Sequence, residues 1–179
     1  MPRLIKYMEE HKDVGQMMPK VLYPNGEIQR LAKMLPTPLD MFGRLCLPNF
    51  LIKRRNTLFE LKQSGFTKIL NVPYLSGCFM FLRMTAVKEV GLFDEQFFMY
   101  AEDIDLTRRI HKEYKTLYYP CASIYHTFTR GSRKSLRLMR IHIVNIILYF
   151  NKWGWFKDEE RRKVNKDVAQ QIGGIVAPL

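Results

Sequence analysis

Residues 98–126 read FMYAEDIDLTRRIHKEYKTLYYPCASIYH, and this stretch decides the fold class. Its first half carries apolar residues at helical spacing, namely Leu106, Ile110 and Tyr114. That spacing predicts a helix over 102–114. Two β-rich runs follow at 117–119 and 122–125, separated by a proline. A helix that leads at once into strands indicates an α/β protein.

Upstream of this stretch the chain continues the α/β pattern. Apolar residues at helical spacing predict a helix over 3–12, and weak alternation predicts a short strand over 14–21. The sequence PNG at 24–26 predicts a turn with a positive φ at Gly26.

The segment 35–66 lacks a clear period. Three prolines interrupt it, at positions 36, 38 and 48, and a basic cluster follows at 53–55. We expect a long, mobile connection, because loops of this length in a compact domain are usually functional or disordered. Beyond it, the apolar run 78–82 predicts a buried strand. Thr85 is then a candidate cap for a short helix over 86–90 that ends at Gly91.

Downstream, two further helices are predicted, over 136–153 and 158–172, after a polar, basic loop. We therefore divide the chain into a main part, 1–134, and a C-terminal helical extension, 135–179.

Length and composition restrict the class of protein. The chain has 179 residues, 47% hydrophobic and 26% charged, which fits one globular domain and excludes a disordered chain. Three scattered cysteines, no secretory leader and no run long enough to span a bilayer predict a cytoplasmic protein.

The formal net charge of +12 predicts an acidic partner. Nucleic acid, anionic lipid headgroups and phosphorylated small molecules all fit this charge. The sequence contains no helix-turn-helix, zinc-finger or RNP-like motif, so we expect no nucleic-acid partner.

Five carboxylates fall within a dozen residues: Asp94, Glu95, Glu102, Asp103 and Asp105. The aromatic residues between them predict that some of these carboxylates lie at the edge of an apolar surface, where one could act as a general base. Alternatively, acids crowd the first turn of a helix because the helix dipole and the free amides favour them there.

The stretch from Ser76 to His126 resembles the acceptor half of the family-2 inverting glycosyltransferases, especially bacterial rhamnosyltransferase-like members. It contains, in order, the SG-apolar strand, VGLFDE, FMYAEDIDL, the YYP strand and a terminal His. The resemblance extends to both sides and covers most of the chain. It implies a GT-A-type α/β fold and transfer of a sugar from a nucleotide-sugar donor to a saccharide or polyprenyl-diphosphate-linked acceptor. That chemistry belongs to cell-surface polysaccharide assembly in the cell envelope.

The resemblance also implies roles for single residues. Asp103 would be the base that deprotonates the acceptor hydroxyl, with Glu102 beside it as a second catalytic residue. The implied acceptor-binding residues are Ser76, Gly77, Tyr100 and Asp105.

On the donor side, the resemblance implies that His126 helps hold Mg²⁺ or Mn²⁺ on the diphosphate. The basic loop after it would close over the diphosphate with Arg130 and Arg133. A structural His at a strand end remains the alternative, because one His alone defines no metal site.

Members of this family carry a nucleotide-binding half before the part that is matched here. We therefore expect the chain to represent the C-terminal portion of such an enzyme, with a partial GT-A fold. It would pair with a missing N-terminal half or with a second copy, and the metal would require the complete donor site. The competing hypothesis is a non-catalytic remnant or accessory module that binds a saccharide or a partner.

The stretch 135–155 mixes aromatic and aliphatic residues with Arg and Lys. It fits either a helix that lies on the inner face of the cytoplasmic membrane or a helix that covers the sheet.

Overall fold

A four-stranded mixed sheet forms the centre of the fold in this computed structural model, which describes residues 1–127 and 135–173 except for the side chains of Leu45, Cys46 and Asn49. The strands, in their spatial order, are β3 (Leu70–Asn71), β6 (Lys115–Tyr125), β1 (Val14–Leu22) and β5 (Phe81–Leu82). The pair β1 and β6 is parallel, whereas β5 and β3 run antiparallel to β1 and β6 respectively. A separate antiparallel pair joins β2 (Ala32–Lys33) to β4 (Tyr74–Leu75). The α/β class predicted from the sequence is confirmed.

Strand β1 is buried on both faces, as a central strand in a layered α/β fold should be. Met17 packs with Leu4 and Met8 of helix α1 (Pro2–Glu10) on one face, and Met18 belongs to the main core on the other. Adjacent side chains of a strand point to opposite faces, so the two methionines pack against the layers on the two sides of the sheet.

Strand β6 is one continuous strand, whereas the sequence predicted two separate runs. The proline at position 120 lies inside it, at a register shift: Pro19 pairs with Tyr119, but the next residue of β1, Lys20, pairs with Ser123. A bulge accommodates the proline, which cannot donate to the ladder, without ending the strand.

The segment 35–66 contains two helices, so the prediction of a connection without regular structure was wrong. Helix α2 (Pro38–Cys46) begins at a capping box in which Thr37 and Asp40 cap one another, and helix α3 (Asn49–Phe59) begins directly after Pro48. Proline suits the first positions of a helix, where its missing N–H is not needed. Two of the three prolines that suggested interruptions, Pro38 and Pro48, therefore mark helix starts.

The segment around 78–90 differs in detail from the prediction. Only Phe81 and Leu82 form a strand, and both are partly exposed. Helix α4 (Met84–Val90) starts one residue before Thr85, without a side-chain cap, and ends at Gly91 with φ +87°. Arg83 fixes its start by donating to the carbonyls of Val14, Met8 and His11.

Helix α5 (Glu102–Glu113) agrees closely with the prediction, as do the two C-terminal helices, α6 (Leu136–Trp153) and α7 (Glu159–Gln171). The latter two complete the main core: Ile146, Tyr149 and Phe150 of α6 are buried with Ile104 of α5. Within the described residues, no helix is both long enough and apolar enough to cross a bilayer.

A buried ion pair joins α5 to the C-terminal helices. Arg108 of α5 donates to Asp158 and Glu160, both at 2.8 Å, and to the Tyr149 hydroxyl at 3.3 Å. Its guanidinium also lies 4.1 Å from the centre of the Trp153 ring. Burial opposes the charge of Arg108, but the hydrogen bonds that it donates to Asp158, Tyr149 and Glu160 raise its pKa.

Replacing one partner of such a pair leaves the charge of the other partner buried without compensation. We expect Arg108→Ala to lower the free energy of unfolding by about 3–5 kcal/mol, because the Asp158 carboxylate would be left without its main partner. Denaturant unfolding of the 179-residue chain measures this. Lys6→Ala is the matched control, because Lys6 is exposed and its carboxylate contact to Glu10 is long, and should change stability by less than about 0.5 kcal/mol. Equal effects of the two substitutions would show that the pair does not anchor α5.

Candidate functional site

The N-terminus of α5 lies at the edge of the sheet where β1 and β6 end. Gly15, near the start of β1, packs tightly against Ile110 and Tyr114 at the other end of α5. The helix therefore runs antiparallel to β1, and its first turn points toward the end of the strand at Leu22. His126 follows β6 at this same edge, where its backbone N–H donates to the Leu22 carbonyl at 2.9 Å. In open α/β sheets this edge is the usual place for ligands.

Asp103, in the first turn of α5, is buried, with only 8% of its surface exposed. One carboxylate oxygen accepts a hydrogen bond from the Gly77 N–H and the other accepts one from the Ile104 N–H, both at 2.8 Å. These two donors fix the plane of the carboxylate. Each oxygen keeps a second lone pair with which it can accept a proton.

Burial raises the pKa of Asp103 from 3.8 to about 6. The neighbouring Glu102 carboxylate raises it further, while the two N–H donors and the Lys33 ammonium oppose the rise. A carboxylate with this pKa is ionised at neutral pH and is a stronger base than an ordinary aspartate, which suits general-base catalysis.

Gly77 provides the close approach that this arrangement requires. A Cβ at this position would lie 3.2 Å from the Asp103 Cβ. Glycine therefore lets the β4 segment approach the carboxylate closely enough for its N–H to donate. The preceding Ser76 is partly buried, and its backbone N–H donates to Leu31. The structure brings Ser76, Gly77 and Asp103 together.

Tyr100 and Glu102 lie on either side of the turn that enters α5. Tyr100 adopts φ +81°, a conformation uncommon for a side chain of its size, and its ring lies 4.7 Å from that of His142 on α6. Glu102 accepts a hydrogen bond from the Ala101 N–H at 2.9 Å, just before the first turn of the helix. The backbone carbonyl of Met99 accepts from Asn145, which is buried on α6. Helix α6 thus fixes the conformation of this turn.

Asp105 points away from Asp103 and is fully buried. Its Oδ2 accepts from Arg109 at 2.8 Å. Its Oδ1 accepts from the Trp153 indole N–H at 2.8 Å and lies 2.8 Å from the Lys152 ammonium. This geometry favours a structural role over the predicted contact with the acceptor.

The remaining acids of the cluster are also apart from Asp103. Asp94 pairs with Lys152, whose hydrogen bond lowers the pKa of Asp94 to about 2, and Glu95 is exposed. Glu102 and Asp103 accept hydrogen bonds from backbone N–H groups at the helix start, as the helix-terminus interpretation of the cluster expects.

Three residues near Asp103 were not predicted from the sequence. Lys33 of β2 places its ammonium 5.1 Å from the centre of the Tyr74 ring, and burial lowers the pKa of this lysine. Burial likewise raises the pKa of Tyr74 and of the Cys78 thiol, so both side chains stay neutral at pH 7. Lys33 and Asp103 favour each other's charged form. No local sequence signal marks Lys33, because the pairing of β2 with β4 places it beside Tyr74.

His126 is close to Gln29, which is buried and was not predicted. The His126 Nδ1 lies 3.2 Å from the Gln29 side-chain oxygen, and the Gln29 amide donates to the His126 and Leu22 carbonyls. Within residues 1–127 and 135–173, no group of three or more His, Cys, Asp or Glu side chains could hold a metal. Arg130 and Arg133, predicted for the diphosphate loop, lie outside the described residues.

Comparison with known proteins gives a distant similarity. The chain is 29% identical over 113 residues to an N-acetylglucosaminyl-diphospho-decaprenol L-rhamnosyltransferase of Mycobacterium tuberculosis, in both strain CDC 1551 and strain H37Rv. The match covers 63% of this chain and 37% of those relatives, so the chain spans little more than a third of their length. No family model and no solved structure matches. The similarity supports a glycosyltransferase-like protein.

Proposed function

We propose that the chain is the acceptor side of a glycosyltransferase in which Asp103 is the general base. The observation that carries this proposal is a buried carboxylate at the ligand edge of the sheet, with a raised pKa and two fixed backbone donors. The similarity to a rhamnosyltransferase supports the reaction class. The donor would be a nucleotide-sugar, and the acceptor a saccharide or a saccharide on a polyprenyl diphosphate, in polysaccharide synthesis at the cell envelope.

In the proposed reaction, a free lone pair of Asp103 takes the proton of the acceptor hydroxyl. The acceptor oxygen forms its bond to the anomeric carbon of the donor sugar as the bond from that carbon to the diphosphate breaks. Attack from the face opposite the diphosphate inverts the configuration. The negative charge thus passes from the Asp103 carboxylate to the leaving diphosphate, and the proton remains on Asp103.

The surrounding residues fit this role for Asp103. Gly77 and Ile104 hold the carboxylate in one plane, so that its free lone pairs keep a fixed direction. Ser76 and Tyr100 are the candidate acceptor contacts. Mg²⁺ or Mn²⁺ on the donor diphosphate belongs to this proposal, with His126 as one candidate ligand and Arg130 and Arg133 as candidate diphosphate contacts.

Removing the base should abolish most of the turnover. In a polypeptide that includes the complete donor site, we expect Asp103→Asn to lower kcat by about 10²–10⁴-fold with little change in donor binding. Initial-rate assays with nucleotide-sugar and acceptor measure this. Glu95→Gln is the control, because Glu95 is an exposed acid of the same cluster. Unchanged turnover in Asp103→Asn would refute the assignment. Saccharide binding without any turnover in the unsubstituted protein would favour the accessory module.

The pH profile should report the same carboxylate. Because the base must be ionised, kcat/KM should rise as the pH increases through about 6, the pKa of Asp103. A profile that is flat between pH 5 and 7, or that falls, would contradict the proposal.

The raised pKa also predicts a stability effect in the 179-residue chain itself. The folded state binds the Asp103 proton more tightly than the unfolded state, so this group destabilises the fold as the pH rises from about 4 to about 6. Asp103→Asn removes that dependence. The unfolding free energy of the variant minus that of the parent should therefore increase by about 2.4 kcal/mol between pH 4 and pH 7, because the unfolded carboxyl is already partly ionised at pH 4. Denaturant unfolding at both pH values measures it, and a constant difference would show that Asp103 titrates normally.

Lys33 should tune the base. Its ammonium lowers the pKa of Asp103, so Lys33→Met, which keeps the apolar stem, should raise the pKa of Asp103 above about 6. Carboxyl-carbon NMR titration of the chain measures the pKa. Lys12→Met is the control, because Lys12 is exposed and is not among the charges that affect Asp103. An unchanged or lowered pKa in Lys33→Met would contradict the coupling.

A further inference from the structure

The turn that joins α2 to α3 carries apolar side chains into the solvent. Phe50 is 76% exposed, Leu51 is 61% exposed and Leu47 is 40% exposed, with an exposed Pro48 between them. We call these four residues the hairpin tip. Large apolar residues that are exposed next to one another mark an interaction surface, whereas single ones do not.

The two helices behind the hairpin tip are braced against each other. Arg55 of α3 forms an ion pair with Asp40 of α2 at 2.6 Å, and Arg44 of α2 pairs with Glu60, just after α3, at 2.9 Å. Ile52 of α3 packs over Gly43 of α2, since a Cβ at position 43 would be in ordinary van der Waals contact with it at 3.7 Å. The braced helices present the tip in a defined orientation, which lowers the ordering cost of binding.

Cations follow directly after the apolar residues. Lys53 and Arg54 are exposed on the first turns of α3, next to Phe50 and Leu51. An apolar tip with adjacent cations is complementary to an anionic bilayer, in which the acyl region takes the apolar groups and the headgroups take the charges. The net charge of +12 acts in the same direction.

The end of the hairpin opposite the tip lies close to the candidate site. The Arg44 guanidinium lies 4.7 Å from the centre of the Phe59 ring, and the Lys33 ammonium lies 5.8 Å from the same ring. Lys33 in turn acts electrostatically on Asp103. The end of the hairpin opposite the tip therefore lies beside Lys33, a residue of the candidate site.

We propose that the hairpin tip docks on an anionic lipid bilayer and holds the Asp103 site near the headgroups. This deepens the proposed function, because a lipid-linked acceptor would be met at that surface. It also gives the membrane contact a location other than 135–155, for which the sequence left open a helix on the membrane and a helix that covers the sheet. The exposed apolar residues of α6 in that range, Leu136, Val144 and Ile147, are spread over three turns, whereas those of the tip are contiguous.

Vesicle co-sedimentation of the 179-residue chain tests the docking without any sugar transfer. We expect binding to phosphatidylcholine vesicles that contain phosphatidylglycerol, and much weaker binding to phosphatidylcholine alone. Phe50→Asp combined with Leu51→Asp should weaken the partition coefficient by at least about tenfold, because two exposed apolar groups leave the acyl region. Lys53→Gln combined with Arg54→Gln should lower the binding and its salt sensitivity.

Two controls match these variants. Val144→Asp combined with Ile147→Asp places the same two charges on the outer face of α6 and should leave binding within about twofold if that face does not insert. Leu92→Asp tests another exposed apolar pair, Leu92 and Phe93, which are 72% and 45% exposed, and should also leave binding within about twofold. Unchanged thermal midpoints confirm that each variant is folded.

Three results would overturn the proposal. The first is absence of binding to anionic vesicles. The second is loss of binding in the α6 variant but not in the tip variant. The third is self-association of the chain through the tip, which light scattering would show as a smaller oligomer in the tip variant. Failure of the proposed function is separate from these results. Asp103→Asn should still bind vesicles, and a chain that docks but supports no transfer in the longer polypeptide would retain this surface and lose only the catalytic assignment.

Discussion

The ion pair between Arg108 and Asp158 holds together the parts of the molecule on which the candidate site depends. Arg108 lies on α5, while its partners lie at the start of α7 and, through Tyr149 and Trp153, on α6. Burying these charges has a large desolvation cost, and the attraction between them offsets that cost only when the hydrogen-bond geometry is good. It therefore specifies how α5 lies against the C-terminal helices, which contribute Phe150 and Tyr149 to the main core.

Fixing α5 also separates its two inner carboxylates. Asp103 and Asp105 are two residues apart, so they project from the helix in nearly opposite directions. Asp105 is neutralised by Arg109 and Lys152, whereas Asp103 is held by backbone donors and lacks such an ion pair among the described residues. Two chemically identical groups thus acquire different surroundings, because cations enclose Asp105 whereas backbone N–H groups hold Asp103.

The hairpin of α2 and α3 extends this arrangement away from the sheet. Its base contributes Phe59, which contacts Lys33 and Arg44, and its tip carries Phe50 into solvent. The electrostatic environment of Asp103 and the exposed apolar surface thus belong to one braced unit. A surface contact at the tip would also act on the opposite end of the hairpin, because ion pairs join the two helices along their length.

The sequence by itself determined the α/β class, the central strand β1, the helices α5, α6 and α7, and Asp103 with Gly77 as candidate site residues. These features depend on local periodicity, on helix-terminus chemistry and on a run of motifs, all of which are legible along the chain. The tertiary structure decided what depends on contacts between distant residues. It showed that Asp105 is enclosed by Lys152 and Trp153, because α6 packs on α5. Strand pairing placed Lys33 beside Tyr74. The structure also showed that Pro38 and Pro48, which suggested a loop, lie at the starts of two helices. Only the packed core shows which side of a proline continues as helix.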